Sequence, residues 1–277
     1  LGFDGFVSAD FGAVHMIHRT HHAAQDGLQA GKMAMRAGMD VEAPNIFGFG
    51  QELLEEFASG KLPMELLDTS VERVLRVKFR LGLFDDPYVQ DPATDPRRGE
   101  DDRNLAYRAA LESVVLLKNE NQTLPLNANA KIAVVGPNAK IAQLGDYTAP
   151  ANMHNAVSLY EGLSVQGCDV VWEQGCSLTQ KLESFDRAVE AVRQADVAIL
   201  AMGDTSHFFG GIGWGADGAS ATCGEGFDVC SLDLPGRQQM LMEALVATGK
   251  PVVLVMVSGR PYSIVWAKEH VPAILQA

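Results

Sequence analysis

An α/β protein of two domains is predicted for this 277-residue chain on three observations. Strand-sized apolar runs alternate with stretches of helical period from the first residues onward. A charged, proline-bearing segment divides the chain. In the second half helical stretches lie between successive apolar runs, which implies a mostly parallel sheet covered on both faces.

Composition narrows the function classes. Hydrophobic residues make up 47% and charged residues 21% of the chain, ordinary values for a globular protein. With 22 Lys and Arg against 35 Asp and Glu, the net charge of −13 leaves no basic surface to neutralise phosphates, so nucleic acid and anionic membrane are not expected partners. The longest clean apolar run, Val252 to Val257, is far short of the roughly 20 residues of a membrane-spanning helix. Four cysteines without CxxC spacing argue against a zinc ribbon, a thioredoxin site or a disulfide scaffold.

Taken in order, Phe3 to Ala9 is a short apolar run fit for a buried strand, and His15 to Gly38 reads as a loop passing into a helix that Gly38 ends. Met39 to Ala43 suits a second strand. From Pro63 a helix is expected, with Leu66, Leu67, Val71, Val74, Leu75 and Phe79 on one face and Gly82 closing it. Between Asp85 and Arg103 seven acids, three Arg and three Pro fall in 19 residues, which reads as an interdomain linker. A helix over Asn104 to Glu112 then leads into Val-Val-Leu-Leu-Lys-Asn. Strand candidates follow at Lys131 to Val135, Asp169 to Trp172, Asp196 to Met202 and Pro251 to Val257. Helices are expected over Leu182 to Ala195 and Arg237 to Thr248. The chain begins at Leu1 and ends at Ala277 within or beside apolar runs, and both ends read as cut.

Several strings have the look of chemistry. Gly213, Gly215 and Gly218 match G-x-G-x-x-G, but no helix opens after Gly218, so a chance match in a polar loop is the better reading. His15, His18, His21 and His22 resemble a metal cluster, yet no H-E-x-x-H arrangement accompanies them, and a crowded polar loop is favoured over a metal site. Cys223 and Cys230 bracket a short loop and could pair in an oxidising compartment; buried free thiols are the competing reading. Asn121 stands in an Asn-Gln-Thr glycosylation sequon, a match common by chance. Two carboxylates stand out by context. Asp10 closes the first strand, where the ends of β/α-barrel strands surround active sites, although by spacing alone an Asp capping a helix or turn is the favoured reading. Glu225 lies between Gly224 and Gly226, whose backbone freedom lets its carboxylate project; a solvated loop Glu is the bland alternative.

Five strings in order decide between these readings: GFDGFVSADFGA, AGMDVEAP, RVLRVKFRLGLFDDPYV, AALESVVLLKNENQTLPL and GEGFDVCSLDLPG. Together they closely resemble the β-glucosidase and β-xylosidase type members of glycoside hydrolase family 3, over nearly the whole chain. The resemblance implies the C-terminal part of a (β/α)8 barrel over residues 1–84, a linker over 85–103, and an α/β/α sandwich domain with a mostly parallel sheet over 104–277. Earlier barrel strands would precede Leu1, and the missing barrel half would be needed to complete the site. Asp10 matches the family's catalytic nucleophile and Glu225 its general acid/base. Phe11, where many members have Trp or Tyr, is a candidate substrate-binding residue, and Ala9 replaces a common Ser; both departures bear on sugar preference.

Retaining hydrolysis of a terminal β-D-glycosidic bond is thereby implied, acting on a β-linked oligosaccharide or an aryl or alkyl glycoside, without a metal or organic cofactor. The roughly 5 Å separation of carboxyls in retaining enzymes would then depend on domain docking. Family resemblance slightly favours a secreted or periplasmic protein. Competing readings are the N-acetylglucosaminidase or phosphorylase branch, a catalytically silent carbohydrate-binding relative, and a nucleotide-binding α/β module. The intact Asp10 and Glu225, the GEG-before-LPG order and the lack of a phosphate loop weigh against them.

Overall fold

The computed structural model describes residues 2–89, 99–145, 147, 156–179, 184–206, 222–224 and 229–277. The chain divides into two compact units, Leu1–Arg98 and Gly99–Ala277.

In the first unit four helices follow one another: α1 (Ala13–Arg19), α2 (Gly27–Arg36), α3 (Gln51–Ala58) and α4 (Met64–Arg80). The two strands expected around them reduce to one parallel bridge, Ser8 with Val41. Its hydrogen bonds run from the Ala9 N–H to the Val41 carbonyl (2.8 Å) and from the Val41 N–H to the Val7 carbonyl (3.1 Å). A strand pair is marginal without further neighbours, and among the described residues neither segment has a second one. What stabilises the bridge is a side chain. Asp40, with its carboxylate fully buried, accepts from the Val7 N–H (2.8 Å) and from Arg73 of α4 (3.2 Å).

Helix α2 starts where Asp26 caps the Gln29 N–H (2.8 Å) and stops ahead of Gly38, whose φ of 95° costs a residue without Cβ little. Its buried alanines pack with Ala9, Val14 and Ala24, while Met35 joins Leu53, Phe57 and Leu62. Helix α4 carries the expected face only in part: Leu66 and Leu67 pack against that second cluster, whereas Val71, Leu75 and Phe79 stay exposed. Pro63 caps α4 rather than opening its first turn.

The second unit begins with α5 (Glu100–Ser113), followed by β1 (Val115–Asn119), β2 (Lys131–Val135), α6 (Leu159–Val165), β3 (Asp169–Glu173), α7 (Asp186–Arg193), β4 (Val197–Gly203), α8 (Gln238–Val246), β5 (Val252–Val257), α9 (Val265–His270) and β6 (Ala273–Gln276). Helix α5 begins within the charged stretch because Glu100, Asp101 and Asp102 fill its first turn, where carboxylates offset the positive end of the helix dipole. Six strands form one sheet in the order β1-β6-β5-β4-β2-β3, with β1 antiparallel to β6 and every other pair parallel.

Successive side chains of a strand point to opposite faces, and both faces here are buried. Val135, Leu200, Met202, Leu254 and Met256 meet α7, α8 and α9 on one side. Ile132, Val134, Ile199, Val253 and Val255 face the other, where Leu159, Tyr160 and Leu163 of α6 lie. The result is a three-layer α/β/α unit. Because β2 is followed by β3 on one side and by β4 on the other, the crossovers diverge at the carboxyl ends of β2 and β4, where doubly wound sheets open a crevice.

Candidate active site

At that crevice the end of β4 is held by β5, whose Val257 carbonyl accepts from the Asp204 N–H (3.1 Å), and by a side chain. Gln238, completely buried at the start of α8, donates from Nε2 to the Gly203 carbonyl (2.8 Å) and to that of Pro235 (3.2 Å). Its Oε1 accepts from the Gly203 N–H (2.8 Å). Gly203 has φ 137°, and a Cβ there would collide with the Val257 carbonyl, so β4 and β5 approach each other on bare backbone.

The chain then continues through Asp204, Thr205 and Ser206. The Asp204 carboxylate, 5% exposed, accepts from the Gly259 N–H (3.3 Å) and the Tyr262 hydroxyl (3.2 Å), with Arg260 Nε at 4.0 Å. Burial, and then the adjoining Asp204 charge, hold the Tyr262 hydroxyl above the ordinary phenol range, so it stays protonated and donates. Asn138 donates to the Asp204 carbonyl (3.1 Å) and accepts from Gln143 (2.8 Å), and Gln143 in turn accepts from the Thr205 hydroxyl (3.1 Å).

This network reaches the glycine loop. Thr222 accepts from the Thr205 N–H at its hydroxyl (2.9 Å), and the Thr222 and Cys223 N–H groups both donate to the Thr205 carbonyl (2.9 and 3.2 Å). Ser206 and Cys223 form a parallel bridge. Gly224 therefore leaves a fixed position, with φ 112°, beside a cavity of about 590 Å³ whose walls include Gln143, Asp204, Ser206, Ser258 and Arg260. Glu225 itself lies outside the described residues, as do Gly213, Gly215 and Gly218.

In the first unit Asp10 stands exposed where the Ser8 bridge ends. One carboxylate oxygen accepts from the Phe11 N–H (2.7 Å), and among the described residues the other has no hydrogen-bond partner. It does not cap α1, whose cap residue is Gly12 and has no side-chain bond. Phe11, 72% exposed, presents its ring next to it. The Gly12 N–H donates to the Ala43 carbonyl (3.0 Å), so the turn carrying Asp10 is bonded to the segment after Val41.

The histidines lie close by without forming a ligand set. The ring of His15 packs 4.4 Å from that of Phe47, His18 Nδ1 is 3.0 Å from the Ala24 carbonyl, and His21 and His22 are exposed. Among the described residues no group of three or more His, Cys, Asp or Glu is arranged to hold a metal. Cys223 is buried, Cys230 is exposed, and no disulfide joins them. Asn121 lies in an exposed turn at φ 52°.

Asp40, Glu42, Asp204 and Gln238 are absent from the sequence-derived candidates. The first two had one available signal: acids at alternate positions of an otherwise apolar strand candidate, Met39 to Ala43.

Comparison with known proteins adds the decisive observation. The family model described as glycosyl hydrolase family 3 C-terminal domain matches residues 114–277. The chain belongs to glycoside hydrolase family 3. Similarity extends through the first unit as well: a β-xylosidase of Formosa agariphila is 32% identical over 100% of this chain and 39% of its own length. A periplasmic β-glucosidase of Salmonella typhimurium is 31% identical over 99% of the chain and 38% of its own. Among solved structures, a β-glucosidase from Erythrobacter marinus aligns over 99% of this family 3 chain and 39% of that one, at 34% identity and a TM-score of 0.83. The chain thus spans less than two fifths of the length of the relatives described here.

Proposed function

We propose that the protein containing this chain hydrolyses terminal non-reducing β-D-glycosidic bonds with retention of configuration, with Asp10 as nucleophile and Glu225 as general acid/base. The observation that carries the reading is the exposed Asp10 carboxylate, with one oxygen fixed by a backbone N–H and the other uncommitted, in a chain of this family. A nucleophile needs that combination of fixed direction and free lone pair.

In the first step an Asp10 oxygen bonds to the anomeric carbon, the glycosidic C–O bond breaks, and Glu225 gives its proton to the departing oxygen. Water then attacks the glycosyl-enzyme, Glu225 takes its proton, and Asp10 is released as carboxylate. The hydrogen bonds that Thr205 exchanges with Thr222 and accepts from the Cys223 N–H support the segment that leads to Glu225. The exposed Phe11 ring offers an apolar face to the sugar.

In this reading the first unit is the C-terminal part of a (β/α)8 barrel, the charged stretch is a linker, and the second unit is the sandwich domain. Substrates are β-linked oligosaccharides or aryl or alkyl β-glycosides. One relative is named as periplasmic, which supports a secreted or periplasmic location. The test is a panel of aryl β-glucosides, β-xylosides and β-N-acetylglucosaminides given to the complete enzyme, with the product anomer followed by NMR. Turnover of the first or second with a β-anomer formed first is expected. Turnover of the third alone, or an α-anomer, would reject the reading.

A further inference from the structure

Among the described acids of the first unit without a cationic partner, Glu42 is the most heavily engaged. Its Oε1 accepts from the Phe47 and Gly48 N–H groups (3.1 Å each), and its Oε2 from those of Gly48 (3.1 Å) and Phe49 (2.8 Å). Three consecutive backbone donors on one carboxylate fold residues 43–49 into a closed loop, and charge-assisted bonds of this kind are about twice as strong as neutral ones.

That loop touches the segment carrying Asp10 at two places just beyond the carboxylate. Before α1, the Ala43 carbonyl accepts from Gly12 (3.0 Å), two residues beyond Asp10. Within α1, the Phe47 ring lies 4.4 Å from His15, and Gly48 sits so close to Val14 that a Cβ on it would come within 2.7 Å of that side chain. Gly48 also abuts Gly31 of α2, so the loop cannot retreat without moving a second helix. Asp10 has no bond of its own to α2, α3 or α4 among the described residues; its only side-chain bond is to the next residue. Its direction therefore depends on where the turn 10–12 is held.

We infer that Glu42 is a positioning residue for the nucleophile: by gathering the amides of Phe47, Gly48 and Phe49 it clamps the loop that fixes the Asp10 turn through Ala43 and α1 through Phe47 and Gly48. The inference rests on Asp10 being the nucleophile. Small displacements of a reacting group lower rates steeply, on the order of a hundredfold for about 1 Å.

The test uses the complete enzyme and a 2-deoxy-2-fluoro aryl glycoside, which forms the glycosyl-enzyme and stops there. Glu42→Gln turns one of the two accepting oxygens into a donor that faces N–H groups. It is expected to lower the trapping rate constant per folded site about 10–100-fold, while the inhibition constant of a competitive sugar analogue changes less than threefold. Glu42→Asp keeps the charge, shortens the reach by one methylene, and should trap at an intermediate rate. A role in stability alone would reduce the melting temperature and the fraction of active sites but leave the trapping rate per site at the wild-type value; that result overturns the inference. If Glu42→Gln does not fold, Glu42→Asp decides: slower trapping supports the clamp and wild-type trapping rejects it. Peptide mapping separates the two levels. Label on Asp10 with wild-type kinetics in both variants removes only the clamp, whereas label on another carboxylate removes the nucleophile assignment and the clamp with it.

Discussion

The ends of two parallel strand pairs, one in each unit, are fixed by different chemistry. In the second unit β4 lies inside a six-stranded sheet buried on both faces, and its last residue is finished by a neutral amide, Gln238; one carboxylate, Asp204, takes the Gly259 N–H just beyond it, and neutral groups of Asn138, Gln143, Thr205 and Thr222 extend the order outward. In the first unit the pair is one bridge long, and two carboxylates, Asp40 and Glu42, bind backbone N–H groups at its end. The wide sheet brings its own backbone partners, so side chains need only match the groups at its end; the Ser8–Val41 pair is a single bridge among the described residues, and carboxylates take N–H groups next to it.

Substitutions can break this comparison at either end. The largest effect is expected from Asp10→Asn. It should lower turnover by roughly 10⁴-fold or more, as losses of catalytic residues do. The melting temperature should stay within a degree or two, because the side chain is exposed and makes one local bond. Loss of folding instead would show that Asp10 belongs with the structural acids of its unit.

Glu225→Ala comes next, at about 10²–10⁴-fold for general acid/base loss, and it should act unequally on the two half-reactions. An activated aryl glycoside should still form the glycosyl-enzyme, which accumulates, and azide should speed its release as the β-glycosyl azide. An unactivated disaccharide should be cleaved very slowly with or without azide. Equal slowing of both substrates without azide rescue would remove Glu225 from the mechanism.

Stability gives the more direct contrast. Gln238→Ala strands the buried N–H and C=O of Gly203, which costs about 1–3 kcal/mol for each group left unsatisfied. Denaturant titration should place that loss in the transition of the sheet unit. Asp40→Asn, which removes the charge paired with Arg73, should act on the first unit instead. A shared loss, with both substitutions shifting one transition equally, would show that the two ends are not independently stabilised.

The smallest effect is on pH dependence. In the first unit Glu56 is held below the usual carboxylate range by Lys32 and then Lys61, and in the second Glu161 is held there by the Ser158 N–H and hydroxyl of its capping box. A depressed folded-state pKa stabilises above the unfolded value of about 4.3 and is lost as pH falls through the folded one. Glu56→Gln and Glu161→Gln should each lower stability slightly at neutral pH and leave it unchanged at the acid end, and so flatten the fall in stability below about pH 4.5. Salt should weaken the Glu56 effect more, since its partners are lysines rather than the chain's own amides.

The amino-acid sequence by itself determined the parts whose cause is burial. Runs such as Lys131 to Val135, Asp196 to Met202 and Pro251 to Val257 are apolar throughout after the leading Lys131 and Asp196, because a parallel sheet covered on both faces has no wet side, so these strands are legible without coordinates. Helix α4 was legible for the same reason, through its apolar spacing, while the short α3, α6 and α9 carry too few turns to show a period. Asp10 and Glu225 enter the proposed mechanism through the strings around them, because chemistry demands particular residue types at particular places. The tertiary structure alone decided the supporting shell. Gln238 meets Gly203 35 positions away and Asp204 meets Tyr262 58 away, while Glu42 binds amides five to seven residues on. Most of these partners are backbone groups, which every residue but proline carries alike, so no sequence pattern marks which of them a side chain will find.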